Sequence, residues 1–266
     1  MAIDLSSLTR SQHEPPIVVV FGGRGVGKTT FAASWPKPVM IHTERVGYFP
    51  GLDMFPQAQS FQDVLDALKV LATDEHDFET LIVDSVDWLE TLIWQHLIAM
   101  RPTDEKGRPV KSVEDYGFGK GYIHALDYWA EYLRAIEYLR TAKGMSIVQI
   151  AHAEVKKFND PTSDSYDRYQ IKLHARASEK LQENADAVLF AKAKHAIRTE
   201  ETGFSGERKL GTGQGERFLY TDARPAFDAK NRFQMPFEIP MPNSDGFAAV
   251  AAYIPFFAEK QKGPAS

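Results

Sequence analysis

Gly22, Gly27, Lys28 and Thr29 stand at the spacing GxxxxGK[ST] in the stretch "VVVFGGRGVGKTTFAAS", and the chemistry of that spacing is phosphate binding. Glycines let the backbone curl until the amides of Gly23, Arg24, Gly25, Val26, Gly27, Lys28, Thr29 and Thr30 point inward at phosphate oxygens. The following helix adds its positive end, Lys28 reaches the β- and γ-phosphates, and the Thr29 hydroxyl is a ligand for Mg²⁺. The ligands implied are ATP and Mg²⁺. A second element is "TLIVDS", an apolar run ending in Asp84. A carboxylate at the end of a neighbouring strand can hold Mg²⁺ opposite Thr29, usually through water. It can equally cap the helix expected from about Val86. A third is Glu44, directly after "VMIH", where a carboxylate could orient and polarise a water in line with the γ-phosphate. Residue type alone leaves Glu44 open between that role and an ordinary surface charge.

These residues need a sheet edge to gather them. Apolar runs at 17–21, 39–42, 80–84, 145–150 and 187–192 alternate with stretches of helical period, the pattern of a mainly parallel sheet covered on both faces. Phe61, Val64, Leu65, Leu68 and Leu71 recur at helical spacing behind Ser60 and Asp63, a short capping pair. Trp88, Leu89, Leu92, Ile93 and Leu97 repeat the period, as do Tyr122, Leu126, Trp129, Leu133, Ile136 and Leu139. These stripes are read as core. Pro36 and Pro38 end the first helix, and Gly144 ends the long one. The stretches 101–121 and 156–174 show no clear period and are expected to be long loops. Residues 199–215 are expected at the tip of a hairpin joining "KHAIRT" to "ERFLYT".

The chain of 266 residues is long enough for one large domain. The expected division is a flexible segment 1–14, one domain over 15–258 and a flexible tail 259–266. It has no cysteine, which excludes disulfides, zinc–thiolate sites and thiol catalysis. No segment approaches the roughly 20 apolar residues of a membrane span, and the first residues lack the layout of a signal peptide. A cytoplasmic location and no membrane partner are expected. With 31 basic and 36 acidic residues the net charge is −5, so any contact with nucleic acid has to be a local patch.

The motif order is similar to that of the RecA-like ATPases: "GGRGVGKT", a glutamate after the next strand in "IHTER", then "LIVDS", then a polar strand end at "VQIAH". More narrowly, "YGFGKGY" with the helix "HALDYWAEYLRAIEYLR", and later "FDAKNRFQMP", resemble the small phage-encoded RecA-like ATPases described as single-strand annealing or recombinase proteins, over roughly residues 15 to 240. The resemblance implies a RecA-like P-loop NTPase core, a twisted parallel sheet flanked by helices with a C-terminal β-hairpin extension. It also implies Glu44 as the catalytic glutamate and assembly into a ring or filament on single-stranded DNA in recombination. Such proteins carry a polar γ-phosphate sensor at the end of the fourth strand; His152 fits best and Gln149 is the alternative, a histidine satisfied in the core being the bland reading. "AKNR" resembles the element inserted into a neighbouring subunit's site, so Lys230 and Arg232 would act in trans; the competing reading is a solvated basic turn.

In that family the loops after the third and fourth strands line the DNA channel. The corresponding candidates are Lys156, Lys157, Phe158, Arg168, Tyr169 and Lys172 in the second loop and Lys120 in the first, cations for phosphates and rings for stacking. Both loops carry acids as well. The competing functions are a helicase-like motor, a regulatory nucleotide switch that binds protein partners, and a nucleotide kinase, for which Arg208, Lys209 and Arg217 are the available lid cations.

Overall fold

Strand β1 (Ile17–Gly22) is buried along its whole length, and its side chains alternate between two separate cores. Ile17, Val19 and Phe21 join one; Val18 and Val20 join the other. A strand apolar on both faces is stable only between two helical layers, and the chain supplies them. In order the elements are β1, α1 (Lys28–Ala33), β2 (Pro38–His42), β3 (Asp53–Met54), α2 (Phe61–Thr73), β4 (Thr80–Asp84), α3 (Val86–Met100), α4 (Lys120–Lys143) and β5 (Ser146–Phe158). There follow β6 (Tyr166–Ile171), α5 (Ala175–Asn184), β7 (Ala187–Ala193), β8 (Ala196–Thr202), β9 (Gly206–Thr212), β10 (Arg217–Tyr220), β11 (Lys230–Asn231), β12 (Glu238–Pro240), α6 (Gly246–Ala251) and α7 (Pro255–Lys262). This computed structural model describes Asp4, Leu8 and residues 12–159, 164–194, 196–202, 206–212 and 215–262, with side chains excepted in β8, β9 and at 261–262.

The main sheet has the order β12-β10-β7-β1-β5-β4-β2-β3. From β7 to β3 neighbouring strands run parallel, while β10 and β12 add antiparallel at one side. Helices α2 to α5 supply residues to the first core, α1, α6 and α7 to the second. The fold is thus the mixed α/β architecture of a P-loop NTPase core, with the expected strands at their expected places. Local signals explain several boundaries. Ser60 and Asp63 form a reciprocal capping box at α2, and Gly144 ends α4 in the left-handed region at φ 68°.

Three expectations need correction. Residues 156–174 are not a loop: β5 continues to Phe158 and pairs antiparallel with β6, from Ala153↔Ile171 to Phe158↔Tyr166. The ribbon arm of β5 is charge-rich and half-buried to exposed, with even Val155 exposed, so it reads as aperiodic polarity in sequence. Part of its tip, 160–163, lies outside the described residues. Residues 199–215 do belong to a hairpin, but much of the stretch expected as its tip is strand: β8 and β9 pair from Ala196↔Thr212 to Thr202↔Gly206, and 203–205 lie outside the described residues. At the far end α7 runs past the expected boundary at 258, and Lys260 meets Glu79 at 3.3 Å. Among the described residues no helix is long and apolar enough to cross a membrane.

Glu90, buried on α3, accepts the backbone N–H of His174 at 3.0 and 3.2 Å and so holds the start of α5. Burial pushes its carboxyl from the ordinary 4.5 to about 7. The folded chain keeps this proton where the unfolded chain has lost it, so stability falls as pH rises from about 4.5 to about 7, by up to about 3 kcal/mol. Glu90→Gln retains an acceptor without the charge. Thermal melts should show the variant more stable than wild type at pH 8, with the gap closing toward pH 5. Parallel pH profiles would mean that the folded protein carries Glu90 ionised.

Candidate active site

The parallel register brings the polar strand ends to one edge. Gly22 lies beside His152 on β5 and Ala191 on β7, while Asp84 lies between Ile150 on β5 and His42 on β2. Between these ends sits a cleft of about 340 Å³, lined by Arg24, Gly25, Gly27, Lys28, Thr29, Thr30, Glu44, Arg45, Asp84 and His152 among others. The structure therefore gathers the loop, the two expected carboxylates and the expected histidine.

The loop shape rests on glycine at two positions. At Gly22 a Cβ would collide with the Ala191 carbonyl, and Gly27 sits at φ 98° with an Arg217 guanidinium nitrogen where its Cβ would stand. Gly23 and Val26 complete the turn, Val26 buried and Gly23 exposed. Arg217 supports the loop from outside, donating to the Val26 carbonyl at 3.2 Å, to the Pro242 carbonyl at 3.1 Å and to Asn243. Sequence marked Arg217 only as a possible lid cation. Its brace could not be foreseen, since the donor and its acceptor are 191 residues apart. Arg208 and Lys209 fall in β9, where no side chain is described.

Lys28 is buried, and its ammonium donates to the Gly22 and Gly23 carbonyls at 3.0 Å each. Burial lowers its pKa below the ordinary lysine value, against the pull of Asp84, Asp87 and Glu44. Thr29 donates its hydroxyl to Asp84 Oδ2 at 2.8 Å, which puts an alcohol and a carboxylate oxygen together at the mouth of the cleft. Burial raises Asp84; the Thr29 hydrogen bond and Lys28 oppose the rise, and the nearby Glu44 adds to it. Hard oxygen donors beside a phosphate-shaped loop fit Mg²⁺, which takes one or two protein oxygens and completes its shell with water and phosphate. The N-cap residue of α3 is Ser85, whose side chain makes no capping bond, and the Asp84 carboxylate accepts from Thr29.

Glu44 follows β2, and the connection is locked. Thr43 is buried, its hydroxyl donating to the Ser85 carbonyl at 2.7 Å and accepting the Ser85 N–H at 3.0 Å. Thr43 also donates its backbone N–H to the Asp84 carbonyl at 2.8 Å. His42 Nδ1 donates to the Glu44 carbonyl at 2.9 Å. Glu44 and Asp84 are thereby fixed relative to one another through two strand ends.

His152 Nδ1 lies 3.0 Å from Asp87 Oδ2 and 3.7 Å from Glu44 Oε1, and the Asp87 Oδ1 also accepts the His152 backbone N–H at 3.0 Å. Two carboxylate neighbours mean that Nδ1 carries the proton, leaving Nε2 as the other polar atom of the ring. Burial alone would raise Asp87, but the hydrogen bonds from the His152 ring and backbone and the charge of that ring hold its carboxyl below the ordinary range. Asp87 was missed in the sequence, where it reads as an acid in the first turn of a helix. The other sensor candidate, Gln149, is wholly buried in the sheet, its amide oxygen accepting from Tyr132 at 2.8 Å.

Lys230 and Arg232 do not reach this cleft. β11 pairs with Val188 and Ala187 at the opening end of β7, the edge of the sheet away from the loop. Lys230 donates to the Gln182 and Glu183 carbonyls at the end of α5, at 2.6 and 3.1 Å, and Arg232 meets Asp186 at 3.4 Å. The DNA candidates also differ from expectation. Arg168 is tied to Asp228 at 2.6 Å and lies over the Phe158 ring. Tyr169 packs against Phe190, with Lys192 over its ring, so it offers no free stacking face of the kind expected. Lys156 pairs with Glu154 at 2.7 Å and Lys120 with Glu105. Lys157 and Lys172 are exposed.

A family described as an AAA domain matches residues 14–233, and no curated protein matches the chain. The matched span opens just before β1 and closes just after β11, so it takes in the loop, both strand-end carboxylates and His152. By that match, over most of its length and across the whole cleft, the chain belongs to the AAA domain family of P-loop ATPases.

Proposed function

We propose that the protein hydrolyses ATP with Mg²⁺ in this cleft and uses the turnover to alter its hold on single-stranded DNA in recombination, by annealing or strand exchange, as an assembly of several copies. The observation that carries the hydrolytic part is the Thr29–Asp84 contact at 2.8 Å with Glu44 lining the same cleft. Mg²⁺, held by Thr29 and through water by Asp84, would supply charge that neutralises phosphate oxygens. The loop amides bind the phosphates, and Lys28 turns its ammonium from the Gly22 and Gly23 carbonyls toward them. Glu44 takes a proton from water at a carboxylate oxygen. Asp87 is a positioning residue: it holds the His152 ring by Nδ1 so that the ring stays at the cleft.

Support for the DNA part is the continuity of β5. His152 lines the cleft, and from the next residue, Ala153, the same strand is one arm of the β5–β6 ribbon, so a shift at His152 moves the ribbon that carries exposed Lys157. The motif order shared with RecA-like annealing proteins supports the same reading. Lys230 and Arg232 lie at the far edge of the sheet, so a catalytic part for them requires a neighbouring copy.

Glu44→Gln should keep ATP affinity by calorimetry and lower turnover by about 100-fold or more. Asp87→Asn should lower kcat by about 10- to 100-fold with KM for ATP unchanged and the pH profile of kcat displaced. Normal turnover in Glu44→Gln removes the water-activating role. For DNA, anisotropy of a labelled oligonucleotide should rise on adding the protein, change with ATP, and weaken steeply with salt. ATP turnover without any oligonucleotide binding would point to a nucleotide switch instead.

A further inference from the structure

A second cavity of about 370 Å³ opens between α3, the start of α4 and the base of the β5–β6 ribbon. Its volume lies within the roughly 300–1,000 Å³ of small-molecule sites. Trp88 and Trp94 on α3 and Tyr122 on α4 bring three large rings to it. Tyr122 stacks face to face on His174, with centroids 3.9 Å apart and planes 6° from parallel, and Trp94 stands edge-on to Tyr122 at 5.7 Å. Trp88 is 44% exposed, an unusual place for a tryptophan in the first turn of a helix.

The charges sort themselves. Three carboxylates line the cavity, but each is committed: Asp87 to His152, Glu90 to the His174 backbone, Glu154 to Lys156. A cationic ligand would find no free counter-charge there. Lys172 brings an exposed ammonium to the same cavity. Flat aromatic faces with a cation at the rim suit a planar heterocycle joined to an anion.

We propose that this cavity binds one nucleoside monophosphate unit, its base against the Tyr122–His174 and tryptophan rings and its phosphate toward Lys172. The unit comes either as a free nucleotide or as one residue of a single strand; the strand source rests on the DNA reading above, the free source does not. Asp87 belongs to both places, lining this cavity and holding His152 in the hydrolytic cleft.

The test uses the full chain with one equivalent of MgADP, which fills the phosphate loop of the first cleft and leaves no excess nucleotide to compete for the second cavity. Tryptophan fluorescence is titrated with thymidine 5′-monophosphate and, separately, with an oligothymidylate. Trp88→Ala and Lys172→Glu alter exposed side chains, and thermal melts check that both variants fold. At least one probe should bind wild type, and each variant should weaken that binding by about tenfold or more. Binding of the monophosphate alone supports the free source; binding of the oligonucleotide, weakened by both variants, supports the strand source. Oligonucleotide binding untouched by either variant overturns the cavity while leaving the DNA reading standing. No binding of either probe to wild type overturns the cavity outright.

Discussion

Everything in the cleft depends on the parallel register of β1, β5 and β4. Because β1 is buried on both faces, a slip of one residue would exchange its two cores, and that cost holds Gly22 beside His152 and Ala191. The same pairing carries Asp84 to the level of Ile150, two residues before His152. Glu44, Asp84 and His152 therefore lie at or just past the sheet ends of strands whose alignment is held by apolar burial below them. Where alignment by burial stops, at the last turn of backbone, a small polar clasp takes over. Thr43 ties the end of β2 to the peptide after Asp84 by both its hydroxyl and its N–H.

The charge balance of the cleft follows from this geometry. One buried ammonium, Lys28, lies among Asp84, Glu44 and Asp87. Its two present partners are neutral carbonyls of the loop itself, which leaves the cation ready to exchange them for phosphate oxygens of greater charge. Lys28 is drawn down by burial while Asp84 is drawn up. In a site of low dielectric these opposed shifts favour a ligand that brings both negative phosphate and a divalent cation. Asp87 stands apart from that exchange, since its carboxylate is satisfied by one histidine, ring and backbone together.

The β5–β6 ribbon is joined to the cleft through a single strand, β5. β5 leaves the sheet at the level of His152 and pairs with β6 from Ala153 onward, so a residue that lines the cleft is also the root of the ribbon. Its base meets α3 and α4, and the second cavity forms where these three parts fail to close. Aromatic residues there are neither all in the core nor all in solvent. Trp88 belongs to a helical stripe read as core; Leu89, Leu92, Ile93 and Leu97 of that stripe are buried while Trp88 is exposed.

The phosphate loop, the strands before and after it, the capping box at Ser60 and the C-terminal end of the long helix were all legible in the sequence, because each is set by local chemistry: glycine at a forbidden φ, apolar period, a side chain bonding a backbone a few residues away. Asp84 and Glu44 were legible as strand ends for the same reason. What tertiary structure decided was which distant groups meet. Asp87 and His152 are 65 residues apart, and Thr43 and Ser85 are 42 apart, and no local pattern records either pair. The basic residues Arg168, Lys120 and Lys230 could not be sorted by sequence into free and committed cations, since their partners lie elsewhere in the chain, on other segments or at the end of another helix; Lys156 meets Glu154 on its own strand. Spacing along the chain encodes conformation; the partner of a long charged side chain is chosen only after the sheet has brought its neighbours within reach.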